Sequence, residues 1–360
     1  ERALGTTTVV AGSAPPPRDV RRRARPAPGK PNAASALSVA QTLPATADSY
    51  GRHAFGRRKV PNGHPVLAAT EFSASAPYPS PSEVLPRAVF PALQRVYVDC
   101  TDADGDAIPV ADQVVSSQLA AFSGGFADAQ CSALQRMPKL THLRTSWCRN
   151  RDWMAIGEQL ASAFAQHGEC LELRYHHDAA DTFLRHCSQV GTKNVPLRFL
   201  VVEGWEDAHA SLSAAALGAS LPSLVTLQLW NVSLSGQAKT MFQNLRVLRK
   251  LEFTYVACEP DAPESLWGSL RDAACLERLS LGDCPHLPPL SDTVIPSGAL
   301  RCLWQVIIYD CPRIQHSSNT WRLLWRLPAL RELYVDFDTS AADAAVQALG
   351  TCQADGHITA

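Results

Sequence analysis

His176-His177 with His186-Cys187, and Cys284 with His286, are the groupings in this chain that come nearest to a zinc ligand set. A structural zinc site needs four nitrogen or sulfur ligands in a tetrahedral array, usually supplied as C-x-x-C and H-x-x-x-H pairs. Neither grouping has that spacing, and no C-x-x-C occurs anywhere. Asp99, Asp102, Asp104 and Asp106 suggest calcium, but a loop starting at Asp102 needs Gly at its sixth position and Glu at its twelfth. The chain has Ala107 and Gln113 there, so an exposed acidic turn is expected. The phosphate-cradling G-x-x-x-x-G-K-[ST], the dinucleotide G-x-G-x-x-G, the G-x-S-x-G elbow and H-E-x-x-H are all absent. No catalytic residue, metal or cofactor is therefore expected, and the chain reads as a binding protein rather than an enzyme.

Behind these residues lies a repeat. From Leu140 onward an L-x-x-L-x-L triplet recurs: Leu197/Leu200/Val202, Leu224/Leu227/Leu229, Leu248/Leu251/Phe253, Leu276/Leu279/Leu281, Leu303/Val306/Ile308 and Leu330/Leu333/Val335. Leu140/Leu143/Thr145 and Gly168/Leu171/Leu173 are weaker copies, and successive first positions are separated by 28, 29, 27, 24, 28, 27 and 27 residues. An earlier copy, Leu93/Val96/Val98, stands 47 residues upstream of Leu140, which implies one long insertion. Pro91, Pro138, Pro222 and Pro328 precede their anchors by two residues, ending the previous helix. Between triplets the periodicity turns helical over Trp153–Phe164, Ala208–Leu221, Ala238–Leu248, Glu264–Ala274 and Ala341–Leu349. Trp321 and Trp325, one helical turn apart, are expected in the core on the helix side. Strand, turn, helix and return, stacked many times, predict an α/β solenoid with a curved parallel sheet inside and helices outside.

Two copies add cysteines at a fixed place. Cys275-Leu276-Glu277-Arg278-Leu279-Ser280-Leu281-Gly282-Asp283-Cys284-Pro285-His286-Leu287 is followed by Cys302 and Leu303-Trp304-Gln305-Val306-Ile307-Ile308-Tyr309-Asp310-Cys311-Pro312-Arg313-Ile314. Over about residues 88–350 the chain resembles the leucine-rich-repeat family, and these copies resemble its cysteine-containing subclass. That subclass is familiar from F-box-type ubiquitin-ligase receptors and from mitochondrial proteins resembling ATP synthase coupling factor B. No F-box helix set precedes the repeats. The resemblance implies a buried corner residue at the ninth position, filled by Cys148, Cys284 and Cys311. His176, Trp205, Val232, Val256 and Asp338 depart from it, so those corners must be built differently. The eleven cysteines, an odd number, suit buried apolar thiols rather than a disulfide framework.

Strand alternation turns the fifth and seventh positions of each triplet away from the coil interior. They supply the candidate interaction residues Tyr97, Arg144, Arg174, Gln228, Trp230, Glu252, Tyr309 and Tyr334. Aromatic anchors among polar neighbours suit a protein partner.

Charge is unevenly distributed along the chain. Residues 1–60 hold 11 Lys/Arg and three acids, a net of +8, whereas the other 300 residues hold 22 basic and 31 acidic groups, a net of −9. Residues 1–87, rich in Pro, Arg and Ala, are expected to form an extended arm without an independent fold. Residues 88–360 are expected to form a domain of about nine repeats. Arg21, Arg22, Arg23, Arg25, Arg57, Arg58 and Lys59 are the expected arm contacts. The Arg- and Ser-rich, acid-poor start beginning at Glu1 reads as a processed or truncated chain with a mitochondrial address, in the matrix or on the matrix face of the inner membrane. No apolar run is long enough to span a bilayer, so membrane contact is expected to be peripheral. The resulting expectation is a non-enzymatic accessory subunit of a respiratory-chain or ATP-synthase-type complex, with protein subunits as partners. Two alternatives are a mitochondrial ribosomal protein with the arm on rRNA, and an adaptor of a ubiquitin-ligase-like assembly.

Overall fold

The computed structural model describes residues 8–11, 71–75, 94–99, 117–125, 132–145, 153–175, 177–189, 195–204, 210–258, 263–296, 298–336 and 338–354. The chain divides into two compact units, one of Ala14–Asp152 and one of Trp153–Ala360 with Glu1–Ser13. Strand β1 (Thr8–Ala11) belongs to the larger unit.

The smaller unit contains β2 (Glu71–Ser75), β3 (Arg95–Asp99), β4 (Ala121–Gly124), helix α1 (Ser132–Gln135) and β5 (His142–Thr145). Its four strands pair in parallel in sequence order. The 47-residue interval expected to be an insertion therefore holds a further coil. Leu119 and Phe122 are its buried first and fourth positions, and Phe122 stands in register between Val96 and Leu143. The coil escapes a triplet search because Gly124 occupies the third apolar place. Strand β2 falls within the segment expected to be an arm.

In the larger unit the strands are β6 (Cys170–Arg174), β7 (Phe199–Glu203), β8 (Ala210–Ser213), β9 (Thr226–Trp230), β10 (Val232–Ser235), β11 (Lys250–Thr254), β12 (Ala257–Cys258), β13 (Arg278–Gly282), β14 (Gln305–Tyr309) and β15 (Glu332–Val335). The helices are α2 (Trp153–Ala163), α3 (His177–Gln189), α4 (Ala214–Ser220), α5 (Pro312–Gln315), α6 (Ser318–Trp325) and α7 (Thr339–Ala354), with 3-10 helices at Ala238–Thr240 and Pro263–Asp272. One parallel sheet runs β6-β7-β9-β11-β13-β14-β15-β1, and every described pairing from β6 to β15 aligns equivalent triplet positions, as with Leu200, Leu227, Leu251 and Leu279. This is a leucine-rich-repeat-type solenoid. It is stable because each coil buries its ladder only against its neighbours.

Leu227, Leu229, Leu251 and Phe253 are completely buried. Where Gly168 replaces the first leucine, the ring of Phe164 occupies the space a side chain would need. The prolines serve a narrower purpose than helix breaking. Leu140 N donates to Met137 O at 3.1 Å and Leu224 N to Leu221 O at 3.1 Å, so Pro138 and Pro222 are second residues of tight turns, where their fixed φ fits.

Helical expectations hold in some coils and not in others. Residues 153–163 and 339–354 are α-helical, whereas Ala208–Leu221 opens with β8, and α4 begins only after Ser213, whose Oγ accepts from Ala216 N at 3.3 Å. Ala238–Leu248 keeps one 3-10 turn, because the 24-residue interval leaves no room for more. Pro263–Asp272 is 3-10 throughout, although its repeat, 28 residues from Leu248 to Leu276, is as long as the one that holds α2. Trp321 is fully buried, stacks on Trp325 at 6.0 Å, and donates from Nε1 to Gln315 O at 2.7 Å. No helix among the described residues is long and apolar enough to cross a membrane.

Asp338 caps α7, its Oδ1 accepting from Ala341 N at 2.7 Å while Oδ2 lies 2.8 Å from His316 Nε2. These contacts, the Ala341 hydrogen bond foremost, hold its carboxyl below the ordinary range. A depressed folded pKa means stability that is present above the unfolded pKa and is lost as pH falls through the folded value. Asp338→Ala should lower Tm at neutral pH, Asp338→Asn should keep most of the cap, and the gap between wild type and Asp338→Ala should close in acid. Thermal melts across pH check this; a gap that stays constant into acid would refute it.

Candidate functional site

Strand register sorts the polar residues of the larger unit into rows. The fifth positions line up as Glu172, Val201, Gln228, Glu252, Ser280, Ile307 and Tyr334, and the seventh as Arg174, Glu203, Trp230, Thr254, Gly282 and Tyr309. The predicted Arg174, Gln228, Trp230, Glu252, Tyr309 and Tyr334 therefore share one sheet face. Tyr97 and Arg144 lie in the smaller unit, in a row with Ser73 and Ser123, Tyr97 being 40% exposed. The predicted arm contacts, Arg21 through Lys59, lie outside the described residues.

Polar neighbours on this face are linked strand to strand. Gln228 Nε2 donates to Glu252 Oε2 at 2.9 Å, and Lys250 Nζ reaches the same oxygen at 2.8 Å. Arg174 stands 3.8 Å from both Glu172 and Glu203. Trp230 Nε1 is shielded from solvent without a hydrogen-bond partner. Tyr309 extends sideways: its ring lies over Gly282, in the space a Cβ there would need, and its hydroxyl shares a hydrogen bond with Thr254 two strands away. Burial, chiefly, with Asp283, Glu252 and Cys284 adding, raises the Tyr309 pKa against the lowering effect of Thr254.

Position eight, just past each strand, forms a row that triplet counting misses. Tyr175, Asn231, Tyr255, Asp283 and Asp310 all have φ between 48° and 64° there. Asn231, Tyr255 and Asp283 N–H groups each donate 3.0 Å to the carbonyl of the next strand's seventh residue, so the ladder continues through the turn. Asn and Asp tolerate this left-handed backbone, and their recurrence just after the strand is the signal that could have revealed the row. Asp283 is held above the ordinary carboxyl range by burial and by Asp310, while a hydrogen bond with Tyr255 opposes the shift.

The charges are segregated. Among the described residues, positions five, seven and eight of the larger unit carry six carboxylates (Glu172, Glu203, Glu252, Asp283, Asp310 and Asp336) and one cation, Arg174. Positions two and three, at the strands' N-terminal ends, carry Arg198, Arg249, Lys250, Arg278 and Arg331 against Glu169, Glu277 and Glu332. Arg278 stacks on Trp304 at 4.8 Å, beside a shallow hollow of about 360 Å³ lined by Cys302, Trp304, Ala329, Arg331 and Glu332.

Next to the face, Cys284 and Cys311 are fully buried at successive ninth positions. Cys284 Sγ donates to Gly282 O at 2.9 Å and accepts from Val256 N at 3.2 Å. Its hydrogen bond with Cys311, together with burial, pushes the Cys311 thiol up. Where Val232 and Val256 replace cysteine, the corners are built as a second parallel sheet, β8-β10-β12, with Leu212, Val232 and Leu234 buried. The Cys170 thiol is pushed up to about 12, mainly by burial, and Cys258 to about 11, so neither is a ready nucleophile at neutral pH. His186 and Cys187 share α3, but His176 and the acidic turn Asp102–Asp106 lie outside the described residues. No three His, Cys, Asp or Glu among the described residues converge in a way that could hold a metal.

No family model and no curated protein matches the chain. Among solved structures, a crystal structure of a TLR13–ssRNA13 complex aligns with a TM-score of 0.40 at 14% identity, over 76% of this chain and 48% of that one. The chain thus spans about half of that chain's length.

Proposed function

We propose that this chain is a non-catalytic scaffold subunit that holds neighbouring proteins through the open face of its repeat sheet. The observation that carries this reading is the register-aligned face of half-buried aromatic and polar side chains, with Tyr334 39% exposed. Such a surface offers anchor side chains over many strands. Placement in a mitochondrial complex of the respiratory or ATP-synthase type rests on the presequence-like composition of residues 1–60 and on the cysteine-subclass resemblance. In that setting Arg21–Arg25 and Arg57–Lys59 extend the contact to neighbouring subunits.

Native electrophoresis of mitochondria containing the tagged full chain tests this. It should migrate with an identified inner-membrane complex, and Trp230→Ala/Tyr334→Ala should release it while its thermal melt stays close to wild type. Migration as a free 39.0 kDa species, or full retention of the double variant, would overturn the reading.

A further inference from the structure

We infer that the partner segment held by the larger unit is an extended, arginine- or lysine-bearing polypeptide, laid over Asp283 and Asp310 and the rings of Trp230, Tyr309 and Tyr334. This rests on the scaffold reading above and adds to it the chemistry of the partner.

Six carboxylates against one arginine leave the central and C-terminal rows strongly anionic, while the strands' N-terminal ends carry five cations against three acids. A face sorted in this way attracts a cationic chain and sets its position across the strands, because a shift toward the N-terminal ends brings like charges together. Asp283 and Asp310 add a specific point: they follow the paired Gly282 and Tyr309 on adjacent strands, so two carboxylates stand side by side at position eight, and a cation laid over them offsets the burial and the like charge that together raise Asp283. Aromatic rings beside carboxylates suit guanidinium and ammonium groups, which stack on rings while pairing with acids. Gly282 lets the Tyr309 ring lie across β13, providing a platform at the centre of the acidic rows.

Size decides for an extended segment. The seven strands from β6 to β15 span about 29 Å at ~4.8 Å per step, the reach of about nine extended residues. A nucleic acid is disfavoured, since its phosphates would meet carboxylates rather than lysines and arginines.

The test uses the full chain and fluorescence anisotropy with a labelled peptide of that length alternating Arg and Thr. Saturable binding that weakens as salt rises is expected. Asp283→Asn/Asp310→Asn should weaken it at least about tenfold. Tyr309→Ala should also weaken it, and Asp343→Asn on the exposed side of α7 should leave it unchanged. Absence of binding, equal affinity for a Glu–Thr peptide or a uridine oligonucleotide, or an unaffected double variant would each overturn the proposal. So would cross-links from Asp283 or Asp310 to Lys30 or Lys59 of the same chain, which would make the occupant this chain's own segment. The assembly assay separates the two readings. Release of Trp230→Ala/Tyr334→Ala from the complex, with the Asp283/Asp310 variant retained, rejects the cationic partner and keeps the scaffold. Retention of both rejects the scaffold face itself.

Discussion

Trp267→Ala should cost about 3–5 kcal/mol, the range for truncating a large buried aromatic. Trp267 is 1% exposed in the 3-10 helix Pro263–Asp272. Its ring is stacked on Phe242 and on Phe253, each at 6.4 Å between centroids, and its Nε1 donates to Pro288 O at 2.8 Å. The side chain thus joins residues from successive coils, and its removal both opens a cavity and leaves a buried carbonyl without its donor, the latter worth about 1–3 kcal/mol within that total. Because coils are stabilised by their neighbours, the damage should be local first. Amide exchange should accelerate in β11 and β13 before it does in α2 and α3, and the urea midpoint should fall. Trp267→Phe, which retains a ring but no donor, should lose distinctly less. A loss below about 1 kcal/mol for the alanine variant would mean the site collapses around the deletion far better than this packing implies.

The second large effect reverses an ordinary rule. Replacing glycine inside a helix usually stabilises, by about 0.5–1 kcal/mol for alanine. Gly350 in α7 has nothing within 4 Å of an added Cβ, and Gly350→Ala should show that gain. Gly218 in α4 should do the opposite. An added Cβ would run into the carbonyl oxygen of Thr240 and stand 2.7 Å from that of Met241, both backbone atoms that cannot swing aside. Asn244 Nδ2 also donates to Gly218 O at 3.0 Å, holding the two segments together. Gly218→Ala should already destabilise, and the bulkier Gly218→Val should lose roughly 3 kcal/mol, at the upper end for overpacking. Thermal melts of Gly350→Ala and Gly218→Ala side by side are decisive: shifts of the same sign would refute the close-approach account.

The residues of the sheet face were legible one at a time and not as a surface. Tyr309 and Gly282 come from different repeats, and only their alignment across β13 and β14 shows the ring occupying the glycine's vacancy. Asp283 and Asp310 are 27 residues apart, and their mutual repulsion depends on both turning left-handed at the same height. A surface that looks mixed in charge when read along the chain becomes an acidic field with a basic rim once its rows are aligned.

What the sequence by itself determined was the coil: aliphatic residues at the first, fourth and sixth positions, repeated every 24–29 residues, with tight turns before the strand. This follows because burial of such a ladder is a local requirement that every coil must meet in the same way, so it leaves a periodic mark. Tertiary structure alone decided the coil hidden at Leu119–Gly124, the second sheet that replaces the cysteine corners, and the 3-10 helices at Ala238–Thr240 and Pro263–Asp272. It also decided which side chains reach across strands. These depend on distances between residues far apart in the chain, where glycine, valine or cysteine can each satisfy the same corner or crossing, so no single residue type marks the outcome.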